Sequence, residues 1–247
     1  MMANQRQVDV SIIIPAYNEE KRLGPTLIAV ADYFLSSSKT FEIIVVDDGS
    51  TDGTAQLVEK IKPAYSAGSE RGIFRLVRHE TNQGKGKAVR TGVLLATGRW
   101  ILFTDADLST PITEFDKMEQ ALRNGDEVVI GSRALPESRI MVAQPWFRRQ
   151  IGRIFPLLVR CLLLPDFHDT QCGFKAFKKE TAQRLFQQLQ TSGFAFDVEI
   201  LLRAKKAGIN VREIPVIWYN SRESKVSLWR SPWQMLAEVI RIRKIRR

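Results

Sequence analysis

The sequence predicts an α/β protein built around a mostly parallel sheet that helices cover on both faces. Short apolar runs rich in Val, Ile and Leu alternate along the chain with longer segments of helical periodicity. Nearly continuous apolar runs are typical of strands buried on both faces. Two of these runs end in paired carboxylates, at Asp47-Asp48 and at Asp105-Ala-Asp107. Because open parallel sheets bind ligands beyond the carboxyl ends of their strands, we expect both acidic pairs to line one crevice.

The alternation also gives the order of the elements. Strands are predicted at Val8–Ile14, Phe41–Val46, Ile73–Arg78, Trp100–Thr104 and Glu127–Ser132. Helices are predicted at Arg22–Ser36, Thr54–Ile61, Lys87–Thr97 and Thr113–Asn124, the last with Thr110 as its cap and Pro111 at its first position. Two later helices and a strand complete the pattern, at Lys179–Gln190, Asp197–Ala207 and Val211–Trp218.

The chain of 247 residues is long enough for one large α/β domain, and no Pro-, Ser- or Gly-rich stretch divides it. We predict a domain over residues 1–220 and a C-terminal segment over residues 221–247. The first residues lack an apolar signal region, and no apolar run approaches the roughly 20 residues of a transmembrane helix. Neither a signal peptide nor a membrane span is therefore predicted. The 2 cysteines are too few for a disulfide framework, which suits a reducing compartment.

The formal net charge of +10 is unevenly placed. Basic residues dominate Arg241–Arg247, after an apolar and aromatic stripe that includes Trp233. This pattern predicts a basic amphipathic helix on an anionic membrane surface. The alternative is that some of the basic residues are there because cationic side chains stabilise the C-terminus of a helix. A second apolar segment, Ile151–Leu164, follows Arg148 and Arg149 and is too short to span a bilayer. Core packing explains it as well as membrane contact does, but both segments together predict C-terminal amphipathic helices that dock the protein on a membrane.

The pair Asp105 and Asp107 ends an apolar run, and carboxylates are out of place in a core. Residues i and i+2 share a face while the chain stays extended, so both side chains could present oxygens to one hard cation, Mg²⁺ or Mn²⁺. The alternative is an acidic loop that caps a helix. The second acidic pair, Asp47-Asp48, favours the metal interpretation.

Two further loops carry residue types that suit a nucleotide. Pro15-Ala-Tyr-Asn-Glu-Glu20 offers an aromatic ring for a base and a carboxylate for a base or ribose, although alone it is only a polar turn. Asn82-Gln-Gly-Lys-Gly-Lys-Ala88 opens a helix with glycines and lysines, which suits close approach of phosphate. That loop matches neither a P-loop nor a dinucleotide fingerprint, and a generic helix start is the alternative.

The order of the motifs resembles that of the family 2 glycosyltransferases, which have the GT-A fold. The motifs that carry this likeness are Pro15-Ala-Tyr-Asn-Glu, Val46-Asp-Asp-Gly-Ser-Thr-Asp, Asn82-Gln-Gly-Lys-Gly, Asp105-Ala-Asp and Gly131-Ser-Arg133. Later motifs look like the polyprenyl-phosphate hexosyltransferases, and most of all the dolichyl-phosphate β-glucosyltransferases, ahead of the mannosyltransferases. These are Asp169-Thr-Gln-Cys-Gly-Phe-Lys175, Phe194-Ala-Phe-Asp-Val-Glu199 and Ser224-Lys225 with Trp229. The resemblance covers almost the whole chain.

The resemblance implies a donor site and an acceptor site. Residues on the nucleotide side are Pro15, Tyr17, Glu19, Asp48, Lys85 and Asp105, with Asp105 and Asp107 facing the metal ion and the donor diphosphate. Basic positions associated with the acceptor phosphate are Arg133, Arg148, Arg149 and Lys225. We take Asp107, Arg133 and Lys225 as the catalytic candidates.

Three positions complicate the assignment. Ser109 stands where the mannosyltransferase pattern has a Gln that helps to hold the metal, so the third metal ligand is open. Glu223 replaces the usual Gly before Ser224-Lys225, so the shape of that loop is open. Asp169 either orients a basic side chain or caps the turn before Cys172.

The implied reaction is an inverting transfer of a hexose, glucose from UDP-glucose, onto a polyprenyl (dolichyl-type) phosphate at the cytoplasmic face of a membrane. A lipid monophosphate is mostly dianionic at neutral pH, so it needs no catalytic base. It does need cations that place it for in-line attack. The alternative donor is GDP-mannose, and a separate membrane-anchoring partner protein is left open.

Two other classes of protein fit the sequence less well. A nucleic-acid-binding module, suggested by the net charge of +10, predicts basic and aromatic residues interleaved over one face. Here the basic residues concentrate near apolar helices, so no nucleic-acid partner is expected. A catalytically silent scaffold is disfavoured because Asp105 and Asp107 are both present.

Overall fold

The computed structural model describes residues 8–66, 71–141, 156, 158–219, 238 and 241–243. The strands are β1 (Val10–Ala16), β2 (Phe41–Asp47), β3 (Gly72–Arg78), β4 (Trp100–Thr104), β5 (Val128–Ser132), β6 (Arg139–Ile140), β7 (Phe174–Lys178), β8 (Val211–Pro215) and β9 (Ile217–Trp218). The helices are α1 (Leu23–Ser36), α2 (Thr54–Ser66), α3 (Lys85–Leu95), α4 (Phe115–Arg123), α5 (Lys179–Gln187) and α6 (Phe196–Lys206), with a 3₁₀ turn at Ile112–Glu114.

Seven of these strands form one sheet in the order β3-β2-β1-β4-β7-β5-β8. The pairs β1-β2, β2-β3, β1-β4 and β5-β8 are parallel, whereas β7 runs antiparallel to both β4 and β5. The short strands β6 and β9 pair separately and in parallel. The predicted mostly parallel sheet is therefore confirmed, with β7 as an antiparallel insertion between β4 and β5.

Helices cover the sheet on both faces and enclose two cores. Alternate residues of β1 point to opposite faces, so Ile13 packs with α3, α5 and α6 while Ile12 and Ile14 pack with α1 and α4. All residues of β1, β2 and β4 are buried. Burial on both faces explains why these strands appear in the sequence as nearly continuous apolar runs.

Apart from the predicted membrane-associated helices, the predicted strands and helices are all present, with shifted ends. The helix α2 continues to Ser66 although it contains Pro63, and the last predicted strand divides into β8 and β9 on either side of Val216. The predicted cap at Thr110 is wrong, because the 3₁₀ turn begins at Ile112 with Pro111 as its N-cap and no side-chain cap hydrogen bond. The Thr110 hydroxyl lies 3.9 Å from the Cys172 sulfur instead. Strand β7 was not predicted, since its two lysines interrupt the apolar pattern.

The predicted membrane-associated helices fall largely outside the described residues, as does most of residues 221–247. In the apolar segment 151–164, Val159, Leu163 and Leu164 are buried in the core, whereas Leu158 and Leu162 are exposed. Core packing thus accounts for part of that segment. Across the portion of the chain that the structure describes, no helix combines the length and apolar character that crossing a membrane requires.

The two cysteines should differ in reactivity. Cys161 is exposed, whereas Cys172 is buried, and its burial raises the pKa of the thiol to about 11. Because the thiolate is the nucleophile, we expect iodoacetamide at pH 8 to modify Cys161 and to spare Cys172 in the folded protein. Peptide mass mapping before and after unfolding in guanidinium chloride measures this. Equal labelling of both thiols in the folded protein would contradict the buried position of Cys172.

Candidate active site

The candidate site lies where the order of the strands reverses. From β1 the chain proceeds outward to β2 and β3 on one side, and then β4 pairs with β1 on the other side. Parallel sheets of this kind bind ligands in the crevice beside such a reversal, beyond the carboxyl ends of the strands. The segments that follow β1 and β4 there contain the motifs at Tyr17–Glu19 and at Asp105–Asp107.

Asp105 and Asp107 both stand at the end of β4 and are both paired with cations. Lys85 Nζ lies 2.7 Å from Asp105 Oδ1, and Arg22 Nη1 lies 3.5 Å from Asp107 Oδ2. The backbone N–H and the hydroxyl of Ser109 both donate to Asp107 Oδ1, at 3.1 and 2.9 Å. Ser109 therefore orients Asp107 in this structure.

The pair suits a hard divalent cation in its chemistry. The carboxylate side chains of Asp105 and Asp107 are 34% and 20% exposed, so their oxygens are accessible to a cation. Among the described residues, no group of three His, Cys, Asp or Glu side chains could hold a metal ion. Within the described part of the chain, a metal ion at this pair would thus have two such ligands, Asp105 and Asp107. Its remaining coordination positions would be open to substrate oxygens or water.

The glycine-lysine loop before α3 is anchored by Asp48. Asp48 is buried, and its carboxylate accepts from the N–H groups of Gln83 and Gly84 at 3.0 and 2.8 Å. The ring of His79 lies 2.7 Å from the same carboxylate. Asp48 therefore positions the turn that presents Lys85, and its predicted contact with a nucleoside stays a prediction.

The backbone amides at the start of α3 are already engaged. Gly86 N–H donates to the Ser192 carbonyl at 2.7 Å, and the next amide donates to the same oxygen at 3.3 Å. The group that this loop brings to the acidic pair is therefore the Lys85 ammonium. Burial opposes its charge, but Asp105 and Asp197 raise the pKa of Lys85 above its usual value.

The motif after β1 is connected to the acidic pair through Arg22. Pro15 is part of the buried strand β1, and the Tyr17 side chain is exposed. Glu19 pairs with Arg22, whose nitrogens lie 2.6 and 2.7 Å from its carboxylate oxygens. Arg22 thus links Glu19 to Asp107, and the sequence does not predict this link, because Arg22 stands only at the expected start of a helix.

Two non-glycine residues with positive φ border this crevice. Asn18 has φ 55° and lies between Tyr17 and Glu19, and Leu108 has φ 46° and follows Asp107. Such backbone conformations cost of order 1–3 kcal/mol and persist where surrounding contacts impose them. Both sites therefore carry local strain beside the predicted ligand-binding side chains.

Arg133, which follows β5 and is partly exposed, forms an ion pair with the buried residue Asp169. Nε and Nη2 of Arg133 donate to the two carboxylate oxygens of Asp169 at 2.6 and 2.9 Å, and the Arg133 N–H donates to Asp169 as well. Glu213 holds the Asp169 N–H at 2.9 Å, and the Trp218 ring lies 5.5 Å from the guanidinium. Asp169 also accepts from the Gln171 N–H at 3.1 Å, so the geometry shows both predicted roles of Asp169, orientation of a basic side chain and capping of the turn before Cys172.

A fully buried ion pair, Lys175 with Asp197, lies close to Asp105. Lys175 of β7 is almost fully buried, and its ammonium lies 2.6 Å from Asp197 of α6 and 2.5 Å from the Cys172 carbonyl. Both residues fall within the motifs Asp169–Lys175 and Phe194–Glu199, but their pairing depends on the antiparallel strand β7. The other acceptor-phosphate candidates, Arg148, Arg149 and Lys225, lie outside the described residues.

The ion pair of Asp169 with Arg133 should stabilise the fold at neutral pH and lose this contribution in acid. Burial opposes ionisation, but Arg133 lowers the pKa of Asp169 from 3.8 to about 2. Since the folded-state pKa lies below the unfolded one, this stabilisation is present above about pH 4 and is lost as the pH falls towards 2. We expect Asp169→Asn to lose about 2 kcal/mol at pH 7, and to show a smaller further loss than the wild type between pH 4 and pH 2.5. Urea unfolding at several pH values measures both, and parallel curves would contradict the assignment.

These features together define a class of protein. A mostly parallel α/β sheet carries an Asp-x-Asp pair, an adjacent lysine and an aromatic residue at one reversal of strand order, as expected of an enzyme that binds a nucleoside diphosphate. The model of glycosyl transferase family 2 matches residues 11–186, and the chain belongs to this family. It is therefore a glycosyltransferase with a GT-A-like fold.

Curated relatives match nearly the whole chain. A dolichyl-phosphate β-glucosyltransferase of Dictyostelium discoideum is 36% identical over 98% of this chain and 77% of its own length. The human dolichyl-phosphate β-glucosyltransferase is 36% identical over 95% of this chain and 74% of its own length. A glucosyl-3-phosphoglycerate synthase of Mycobacterium tuberculosis, solved with Mg²⁺ and UDP, has a TM-score of 0.70 at 19% identity over 95% of this chain and 79% of its own. That last likeness concerns the fold alone.

Proposed function

We propose that this enzyme transfers glucose from UDP-glucose to a dolichyl-type polyprenyl phosphate at the cytoplasmic face of a membrane, with inversion at the anomeric carbon. The observation that carries the proposal is the near full-length identity of 36% with dolichyl-phosphate β-glucosyltransferases. The arrangement of the site supports it, because Lys85 and Arg133 supply partly exposed cations, and two anionic substrates require cations.

The donor is proposed to lie between the segments that follow β1 and β4. Tyr17 would contact the base, Glu19 would accept from the base or ribose, and Lys85 would meet the diphosphate. Asp105 and Asp107 would hold Mg²⁺ or Mn²⁺, which neutralises negative charge on the leaving diphosphate. Their oxygen ligands and their position beside Lys85 support this assignment.

The acceptor phosphate is proposed to bind Arg133, with Arg148, Arg149 and Lys225 as further cations. Asp169 engages two nitrogens of the Arg133 guanidinium, and the side chain is 30% exposed, so Arg133 is both fixed in orientation and accessible. A fixed guanidinium costs little to organise when it meets a phosphate oxygen. Because the phosphate arrives ionised, the chain is proposed to act by placing it for in-line attack, without a general base.

A transfer assay with two donors tests the proposal. We expect purified protein with Mg²⁺ or Mn²⁺ to consume UDP-glucose only when dolichyl phosphate is present, and to release a glucosylated lipid detectable by mass spectrometry. Dolichol without phosphate is the acceptor control, and GDP-mannose is the donor control. Turnover of GDP-mannose alone would overturn the glucose assignment in favour of a mannosyltransferase.

Membrane binding is a separate part of the proposal. The basic C-terminal residues Arg241–Arg247 are expected to attract anionic lipid headgroups, with Leu158 and Leu162 as exposed apolar contacts. Flotation with vesicles that contain phosphatidylserine, compared with neutral vesicles, measures this. Equal recovery on both kinds of vesicle would contradict an electrostatic contribution.

A further inference from the structure

The loop at residues 190–195, between α5 and α6, packs directly against the start of α3. The Ser192 carbonyl accepts from the Gly86 N–H at 2.7 Å. A Cβ atom on Gly84 would lie 2.4 Å from the Ser192 oxygen, and one on Gly86 would lie 2.6 Å from the Thr191 oxygen. The backbone of the 190–195 loop thus contacts the backbone at the start of α3 so closely that no side chain would fit between them. The position of this loop therefore fixes the position of the first turn of α3.

That first turn carries Lys85, which borders the donor site. Lys85 Nζ lies 2.7 Å from Asp105 Oδ1 and 5.9 Å from the ring centroid of Phe194, which belongs to the same 190–195 loop. The Phe194 side chain is exposed. A shift of the loop would therefore move both the Lys85 ammonium and an aromatic ring beside the acidic pair.

Two carboxylates hold the loop by its backbone amides. Glu199, a buried residue of α6, accepts from the N–H groups of Gln190 and Thr191 at 3.0 and 2.7 Å. Glu238 accepts from the N–H groups of Ala195, at 3.1 Å, and Gly193. The loop is thus held at its beginning by Glu199 of α6 and at its end by Glu238.

Glu238 belongs to the C-terminal segment. The fit is close, because a Cβ atom on Gly193 would lie 2.3 Å from Glu238 Oε1. Four residues along the chain, Ile242 is buried in the core that α3, α5 and α6 share. The described part of the C-terminal segment is therefore seated on the same side of the sheet as the loop.

We propose that Glu238 is a positioning residue for the donor site. By holding the N–H groups of Gly193 and Ala195, it seats the 190–195 loop against α3 and so places Lys85 for the donor diphosphate. The inference rests on the proposed function in one respect, namely that the donor carries a nucleoside diphosphate. Because the contact of Glu238 with the loop and the affinity for the donor are linked, each favours the other.

The first test compares Glu238→Ala with Glu59→Ala, which removes the same charge from an exposed position on α2. We expect Glu238→Ala to raise the KM for UDP-glucose roughly tenfold, since hydrogen bonds to an ionised group are lost. The kcat and the KM for dolichyl phosphate should stay within about twofold, because a purely binding contribution affects KM alone. Glu59→Ala should change none of the three, and an unchanged donor KM in Glu238→Ala would overturn the proposal.

The second test breaks the same contact from its other side. Gly193→Ala places a methyl group where the Glu238 carboxylate lies, so it should raise the donor KM to a similar extent. In the double variant the two effects should not multiply, because both remove one interaction. If the two increases in donor KM multiply in the double variant, the residues act independently and the proposal is overturned. If Glu238→Ala does not fold, Glu238→Gln takes its place in the double variant.

Calorimetry with UDP and Mg²⁺ separates this inference from the proposed function. If the wild type binds UDP but transfers no glucose, the proposed acceptor or sugar is wrong. The role of Glu238 is then still tested by comparing the UDP affinities of the wild type and Glu238→Ala. Roughly tenfold weaker UDP binding by Glu238→Ala supports the positioning role. Equal affinity of the wild type and the variant overturns it.

Discussion

Gly173→Ala is expected to reduce sugar transfer at least about 100-fold while the protein stays folded. A Cβ atom at position 173 would lie 1.9 Å from Asp105 Oδ2 and 2.3 Å from Asp105 Cγ. The strands β4 and β7 fix the backbone on both sides, so the Asp105 carboxylate is the group that moves. Misplacement of a site group by about 1 Å can cost about 100-fold in rate. Initial-rate assays and circular dichroism of the purified variant measure the two parts of this prediction.

Gly24→Ala is the matched control for this substitution. The nearest atoms to a Cβ at Gly24 belong to Leu57, at 3.7 Å, which is ordinary van der Waals contact. Because alanine favours a helix over glycine, this variant should retain activity and gain up to about 1 kcal/mol of stability. Wild-type activity in Gly173→Ala would mean that the position of the Asp105 carboxylate does not matter for transfer.

Asp107→Ala is expected to abolish transfer, with a loss of at least about 1000-fold. The substitution removes one of the two proposed carboxylate ligands of the divalent ion, and with it electrostatic stabilisation worth several kcal/mol in the transition state. The fold should survive, because Arg22 still pairs with Glu19 and Ser109 is not fully buried. Rates over a range of Mg²⁺ and Mn²⁺ concentrations, together with the thermal unfolding midpoint, measure the effect.

Asp166→Ala serves as the control for Asp107→Ala. Its side chain is 65% exposed and pairs with Lys205 at the surface, where ion pairs contribute little to stability. We expect this variant to match the wild type in both rate and unfolding midpoint. Full activity in Asp107→Ala would place the metal site elsewhere, whereas a collapse of the unfolding midpoint would assign Asp107 a structural role.

Local pattern and motif order already determined much of this protein. Strands buried on both faces, such as β1, β2 and β4, appear in the sequence as apolar runs, because both side-chain directions meet a core. Because Asp48 and Asp105 directly follow two such runs, the sequence places both residues at one edge of a parallel sheet. The succession of motifs identified the family, since each motif follows a different strand of the same fold.

Only the tertiary structure decided how the charged side chains combine. The partnerships of Lys85 with Asp105, Arg133 with Asp169 and Lys175 with Asp197 join residues from separate elements. Pairings of this kind depend on strand order and on the antiparallel insertion of β7, and neither leaves a periodic signal in the chain. The sequence by itself therefore determined which residue types reach the crevice, whereas the packing of distant elements determined which cation fixes which carboxylate.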